Sequence, residues 1–179
     1  TNLKYLYLTE NVLKILKPKV FDGLVSLQQL YLQQNQLVKI PTLTPMISLS
    51  KVSLANNQLL SMKIDSPVPS SLQSLKFSNN NISTISSADF QPLANCSIRN
   101  MDLSRCNIKN IEQGPFSNLP QLQSLDISHN PGLQMEDIAN VIKDISHSPN
   151  LQVLFLSGSI HEQIPPSLFQ PLSTTDLTQ

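Results

Sequence analysis

Apolar and polar side chains follow one short phrase that returns along the whole chain, L-x-x-L-x-L-x-x-N-x-L. It reads Leu3, Leu6, Leu8, Asn11, Leu13 in the first copy and Leu27, Leu30, Leu32, Asn35, Leu37 in the second. The third runs Leu49, Val52, Leu54, Asn57, Leu59 and the fourth Leu72, Leu75, Phe77, Asn80, Ile82. The fifth is Ile98, Met101, Leu103, Cys106, Ile108 and the sixth Leu122, Leu125, Ile127, Asn130, Leu133. A worn seventh begins Leu151, Leu154, Leu156. Successive starts lie 24, 22, 23, 26, 24 and 29 residues apart. In each copy the fourth and sixth positions share one face and their neighbours take the other, the period of two that makes a strand. Each copy thus supplies one short strand, and the strands pair in parallel about 4.8 Å apart. A unit this short cannot bury its apolar face alone, so the copies must stack as a solenoid.

Phrase and period are those of leucine-rich repeats. They predict an α/β horseshoe with a parallel concave sheet and an irregular, short-helical convex side. One array fills residues 1–179, with about seven repeats starting near 3, 27, 49, 72, 98, 122 and 151. The return path carries its own apolar pairs, Phe21–Leu24, Phe90–Leu93, Phe116–Leu119 and Phe169–Leu172, which pack the convex side and bend the stack into an arc. In the 29-residue copy Ile138, Val141, Ile142 and Ile145 fall on one helical face, with Glu136 and Asp137 near the helix start. The position after each strand holds Asn11, Asn35, Asn57, Asn80, Cys106, Asn130 and Ser159. There the chain turns out of the sheet, and buried Asn side chains are expected to satisfy main-chain groups that no strand reaches. These residues form a structural ladder.

Charge then narrows the function classes. Twelve basic and twelve acidic residues balance, and only 13% of the chain is charged, so the net charge supplies no field for nucleic acid or anionic membrane. No stretch is long enough for a membrane span. The chain enters at Thr1 without a signal peptide and stops at Gln179. Neither end carries a polar or Cys-rich cap, which predicts a piece of a longer protein, uncapped at both ends, with any membrane anchor outside it. The two cysteines, Cys96 and Cys106, flank one strand, which sets them on the order of 15–20 Å apart at about 3.3 Å per residue. That exceeds disulfide reach, so no disulfide is expected, and Cys96 is read as a partly buried free thiol. Two glycosylation triplets occur, Asn81-Ile82-Ser83 and Asn95-Cys96-Ser97.

The stretch from Met101 to Asn130, with Leu103-Ser104-Arg105-Cys106-Asn107-Ile108 followed by Phe116, Leu119 and Leu122, resembles the ectodomain of a Toll-like receptor. A Cys on the ladder and irregular repeat lengths are typical of that family. Residues Asn2 to Pro41 are also similar to the variable lymphocyte receptors, which use the same 24-residue module. The resemblance covers almost the whole chain. It implies an extracellular ligand-recognition segment of an innate immune pattern-recognition receptor, at the cell surface or in the endosomal lumen. Its partners would be a microbial ligand or a protein, with receptor homo- or heterodimerisation. The alternatives are a secreted leucine-rich-repeat matrix or adhesion protein and an antigen-binding variable lymphocyte receptor.

Outward-facing strand residues make two columns on the concave side. One runs Tyr7, Tyr31, Ser53, Lys76, Asp102, Asp126, Phe155, and the other Tyr5, Gln29, Lys51, Ser74, Asn100, Ser124, Val153. All three tyrosines fall here, and tyrosine offers a large rigid surface with a polar tip. Tyr5, Tyr7, Tyr31, Lys51, Lys76, Asp102 and Asp126 are therefore the candidate ligand-binding residues. Cross-strand stacking of Tyr7 on Tyr31 is the structural alternative. Lys76 and Asp102 are placed to form a surface ion pair, and Asp102 beside Asp126 sets like charges on neighbouring strands. Catalysis is not expected. Asp126, Ser128 and His129 lack the geometry of a triad, the His161-Glu162 pair meets Pro165 where H-E-x-x-H needs its second His, and Cys and His show no zinc spacing. Neither a cofactor nor a metal is implied.

Overall fold

The three residues centred on the second leucine of each phrase become a strand, and the rest of the repeat becomes its return path. The computed structural model describes residues 1–64, 67–161 and 163–173. Nine strands occur there in chain order: β1 (Tyr5–Tyr7), β2 (Gln29–Tyr31), β3 (Lys51–Ser53), β4 (Ser74–Lys76), β5 (Thr84–Ile85), β6 (Asn100–Asp102), β7 (Asn110–Ile111), β8 (Ser124–Asp126) and β9 (Val153–Phe155). All but β5 and β7 form one parallel sheet in the order β1-β2-β3-β4-β6-β8-β9. Leu6, Leu30, Val52, Leu75, Met101, Leu125 and Leu154 stand in one row across it. Leu30, Val52, Leu75, Met101 and Leu125 are buried, while the outermost rungs Leu6 and Leu154 are only partly covered.

Turns on the convex side follow the apolar pairs. Phe21, Phe90 and Phe116 are buried, and the Phe90 and Phe116 rings meet edge to face at 5.2 Å. The 22-residue copy has no Phe. Leu43 and Met46 fill that place, with the Met46 amide on the Leu43 carbonyl (3.1 Å) and the Leu49 amide on the Met46 carbonyl (2.9 Å). The same two bonds hold the first copy, from Leu24 to Phe21 (3.1 Å) and from Leu27 to Leu24 (3.0 Å). Phe169 departs from its predicted role, being 40% exposed.

The helix expected in the longest copy forms as Met135–Ile145 and buries Ile138, Val141, Ile142 and Ile145. The acids near it do more than favour its dipole. Asp137 accepts the Gln134 amide at 2.8 Å, closing the helix start, and the Ile111 amide of β7 at 2.7 Å. Asp144 accepts the Gly114 and Phe116 amides. Burial pushes the Asp144 carboxyl above its ordinary value, against the lowering pull of those two amides. Two carboxylates on one helix thus clamp it to the preceding turn. Asp137→Ala strands the buried Ile111 N–H and opens the helix start at Gln134, and should destabilise the protein by about 2 kcal/mol, read as a lower urea midpoint at unchanged slope. A midpoint equal to the parent's would show that the clamp contributes nothing.

A second, two-stranded sheet of β5 and β7 lies beyond the ladder. It pairs Thr84 with Asn110 and Ile85 with Ile111. Ile82-x-x-Ile85 and Ile108-x-x-Ile111 are the sequence signal for it, two inward isoleucines at matching offsets in adjacent copies.

Candidate functional site on the concave face

The ladder fixes the edge from which the concave face is read. Asn57 accepts the Leu37 amide at 2.9 Å and donates to the carbonyls of Leu32 and Leu54, both at 3.0 Å. Asn35 and Asn80 repeat that arrangement one turn to either side. Asn130 is fully buried and accepts two amides, Cys106 at 2.9 Å and Ile108 at 3.1 Å. It also donates to Leu103, Ile127 and Ser128. Cys106 donates its thiol to the Phe77 carbonyl at 3.2 Å, and Ser159 donates to the Ile127 carbonyl at 2.8 Å. Burial pushes the Cys106 thiol up to about 12. Each interior Asn reaches back to the turn before it. Asn11 departs from the expectation of a buried ladder residue: it is exposed and bonds the Leu8 and Thr9 carbonyls of its own turn.

Just before the ladder the main chain enters the left-handed region at every turn. Glu10, Gln34, Asn56, Asn79, Arg105 and His129 all have φ between 54° and 58°. In the last turn the place belongs to Gly158, where a β-carbon would come within 2.8 Å of the His129 ring. The constant tight bend aims each strand at the same angle, so the outward side chains align.

Both predicted columns form in register. Tyr7 stands beside Tyr31, Ser53, Lys76, Asp102, Asp126 and Phe155 in turn, and Tyr5 beside Gln29, Lys51, Ser74, Asn100, Ser124 and Val153. The Tyr7 and Tyr31 rings stack at 4.6 Å with planes 1° apart, the Tyr31 hydroxyl donates to Gln29, and the Lys51 ammonium lies 5.3 Å from the Tyr31 ring centre. Tyr5 and Tyr7 remain 47% and 65% exposed. Stacking and availability therefore coexist: the pair is braced on one another and open on top. Ser53, placed among the outward residues, is buried between its larger neighbours.

The expected pair between Lys76 and Asp102 does not form. Asp102 folds onto its own strand end, accepting the Ser104 amide at 3.1 Å and hydroxyl at 2.7 Å. Asp126 does the same with the Ser128 amide at 2.9 Å and the Ser128 hydroxyl. A carboxylate held by two local donors at fixed distance outcompetes a lysine that would pay side-chain entropy for a solvated pair. This also disposes of the Asp126–Ser128–His129 arrangement, since the Ser128 hydroxyl donates to Asp126 and the exposed His129 ring lies along Gly158 of the next turn. A shallow hollow of about 360 Å³ opens here, with Lys76, Asp102, Asp126 and Phe155 in its wall. No group of three metal-binding side chains occurs among the described residues. Glu162 of the His161-Glu162 pair lies outside them.

Of the two glycosylation triplets, Asn81 is exposed one residue beyond the ladder, where the Asn107 amide donates to its oxygen at 2.9 Å. Asn95 is exposed on the convex turn. Its neighbour Cys96 is more deeply buried than expected and bonds the Pro69 carbonyl at 3.4 Å, and both cysteines are free thiols. Among the described residues no helix is long and apolar enough to cross a membrane.

Comparison with known proteins adds kinship to this geometry. A leucine rich repeat family model matches residues 1–37 and 96–137, and a second matches 71–93. Lumican of Gallus gallus is 28% identical over 134 residues, covering 73% of this chain and 38% of the lumican. The chain thus spans little more than a third of that relative's length. Among solved structures, a chain of the octameric complex of Latrophilin 3, Unc5D and FLRT2 superposes with a TM-score of 0.66 at 20% identity, covering 96% of this chain and 59% of that one. A chain of the Toll–Spatzle complex from Drosophila superposes with a TM-score of 0.61 at 21% identity, covering 86% of this chain and 20% of that one. With the ladder, the parallel sheet and these matches in agreement, the chain is a member of the leucine-rich-repeat family.

Proposed function

We propose that this chain is the ligand-recognition segment of an extracellular receptor of Toll-like type, working by binding and association and not by chemistry. The observation that carries this reading is the aromatic platform on the first three strands. Tyr7 stacks on Tyr31 with Lys51 against the Tyr31 ring and Tyr5 adjoins them in register; Tyr5 and Tyr7 are exposed, Tyr31 and Lys51 half-exposed, on the concave side. Rigid aromatic anchors lose little entropy on binding. Lys76, Asp102 and Asp126 extend the surface with polar groups toward the other end of the arc. The ladder Cys and the likeness in fold to a chain of the Toll–Spatzle complex support the receptor class, and protein complexes among the structural neighbours support a protein partner. A microbial ligand, receptor dimerisation and an anchor elsewhere in the protein belong to the same proposal, as does use of Asn81 and Asn95 as glycan sites.

A second reading, a secreted matrix protein, is favoured by one observation, the 28% identity to lumican over 134 residues. One experiment separates the two. The chain, made in a secretory host and joined to a dimeric carrier, is titrated against whole microbial cells and against decellularised matrix. The receptor reading expects microbial binding that falls at least about tenfold in Tyr7→Ala/Tyr31→Ala, the loss of two interfacial anchors. The convex control Val25→Ser should leave it unchanged. Binding to matrix alone would favour the second reading, and binding indifferent to both tyrosines would remove the concave face from either. A mass loss on deglycosylation, absent from Asn81→Gln/Asn95→Gln, checks the two glycan sites.

A further inference from the structure

A net charge of zero conceals a steep gradient along the solenoid axis. Residues 1–64 hold seven lysines, Lys4, Lys14, Lys17, Lys19, Lys39, Lys51 and Lys63, against Glu10 and Asp22, a net of +5. Residues 65–179 hold five basic and ten acidic side chains, a net of −5. The two halves do not expose their charge equally. On the acidic side Asp89 accepts the Ser86 amide and hydroxyl, both at 2.8 Å, and Asp102 and Asp126 are held by serines. Asp137 and Asp144 are buried on main-chain amides. On the basic side Lys14, Lys17, Lys19 and Lys39 are exposed, and among the described residues they make no ion pair.

These lysines are brought together by the ladder. The segments that leave the ladder in the first three turns run side by side, tied by Gln36 to Leu13 (2.9 Å), Val38 to Lys14 (3.3 Å) and Gln58 to Leu37 (2.9 Å). Lys14, Lys17 and Lys19 stand on the first of these segments and Lys39 on the second. The same three segments carry Val12, Ile15, Val38 and Leu60, exposed by 76%, 71%, 39% and 64%. We propose that this flank of the first three turns binds a sulfated polysaccharide chain, at a surface separate from the concave face. Lysine ammonium groups are compact point charges that suit sulfate groups spaced along a polymer, and a Lys-rich run such as Lys14-x-x-Lys17-x-Lys19 is the mark of a heparin-type patch. The aliphatic side chains between them offer flat contacts for the C–H faces of sugar rings. Nucleic acid fits less well. The flank has no aromatic ring for base stacking and no arginine, and the three tyrosines lie on the concave face.

Heparin supplies the probe. The intact chain should be retained on immobilised heparin, with log affinity falling linearly against log salt at a slope of about −2 to −4, as three to five displaced counterions require. Lys14→Glu/Lys17→Glu/Lys39→Glu should lose at least tenfold in affinity with an unchanged melting temperature. The milder Lys14→Gln/Lys17→Gln/Lys39→Gln should fall in between, and Arg105→Glu/Lys109→Glu, two turns further along, should stay within twofold. Equal binding by the parent and the triple variants overturns the proposal. So does tighter binding to single-stranded DNA or to vesicles of anionic phospholipid than to heparin. Salt-sensitive self-association with no heparin retention would overturn it as well, assigning the gradient to contact between two copies of the chain. None of these outcomes touches the tyrosine platform, whose variants retain every lysine.

Discussion

Asn130→Leu should destabilise the protein by about 4 kcal/mol, because two buried amides lose their acceptor and three carbonyls lose their donor. Leucine keeps the branching and heavy-atom count of asparagine, so no cavity opens, and its bulkier methyl groups add to the loss by overpacking a fully buried site. The amides of Cys106 and Ile108 would be left facing carbon. Within a nearest-neighbour solenoid the damage stays at one seam, so denaturant unfolding should broaden or split as the turns before and after residue 130 lose their coupling. Asn11→Leu is the internal control. The same residue type at the same repeat position is exposed there and bonds only its own carbonyls, and its replacement should cost no more than about 0.5 kcal/mol. Equal losses at the two positions, read from urea curves, would refute the view that the ladder works by reaching back to the preceding turn.

Phe116→Ala should cost about 4 kcal/mol, the usual loss for deleting a fully buried phenyl ring. Its ring is the edge-to-face partner of Phe90 and sits beneath the amide that Asp144 accepts. The double variant Phe90→Ala/Phe116→Ala should lose less than the sum of the single ones by about 1 kcal/mol, the coupling of an aromatic pair. Thermal or urea melts of the four proteins close that cycle. Strict additivity would mean that the two rings fill separate cavities and the contact itself contributes nothing.

Much of the fold could be read before any coordinates, because the phrase constrains side chains in pairs. Leu30 and Leu32 must share a face if Gln29 and Tyr31 are to reach solvent, and repetition turns that local rule into a register. The helix at Met135–Ile145 was equally plain from its four apolar residues. Fates that depend on geometry between turns were less visible. Asp102 next to Lys76 in the column suggests a pair, and only the bend that brings Ser104 under the carboxylate shows why it does not form. Asp137 and Asp144 look like surface acids at helical spacing, yet both face the turn before them. Asn11 matches the ladder in type and position, yet it is exposed and bonds only within its own turn. The two concave columns follow from the sequence because a strand's outward side follows from its inward one. Which of them holds a ligand depends on the partner's shape, and no spacing rule encodes that.

Every strand of the long sheet is three residues, although the copies around them run from 22 to 29. The shortest return path is closed by Leu43 and Met46, the longest by an eleven-residue helix, and both deliver the chain to the same rung. Length variation is thus absorbed on the outer circumference while the inner surface keeps its spacing. A lineage could remodel the back of such a solenoid, adding or trimming whole helices, without disturbing the side chains aligned along its front.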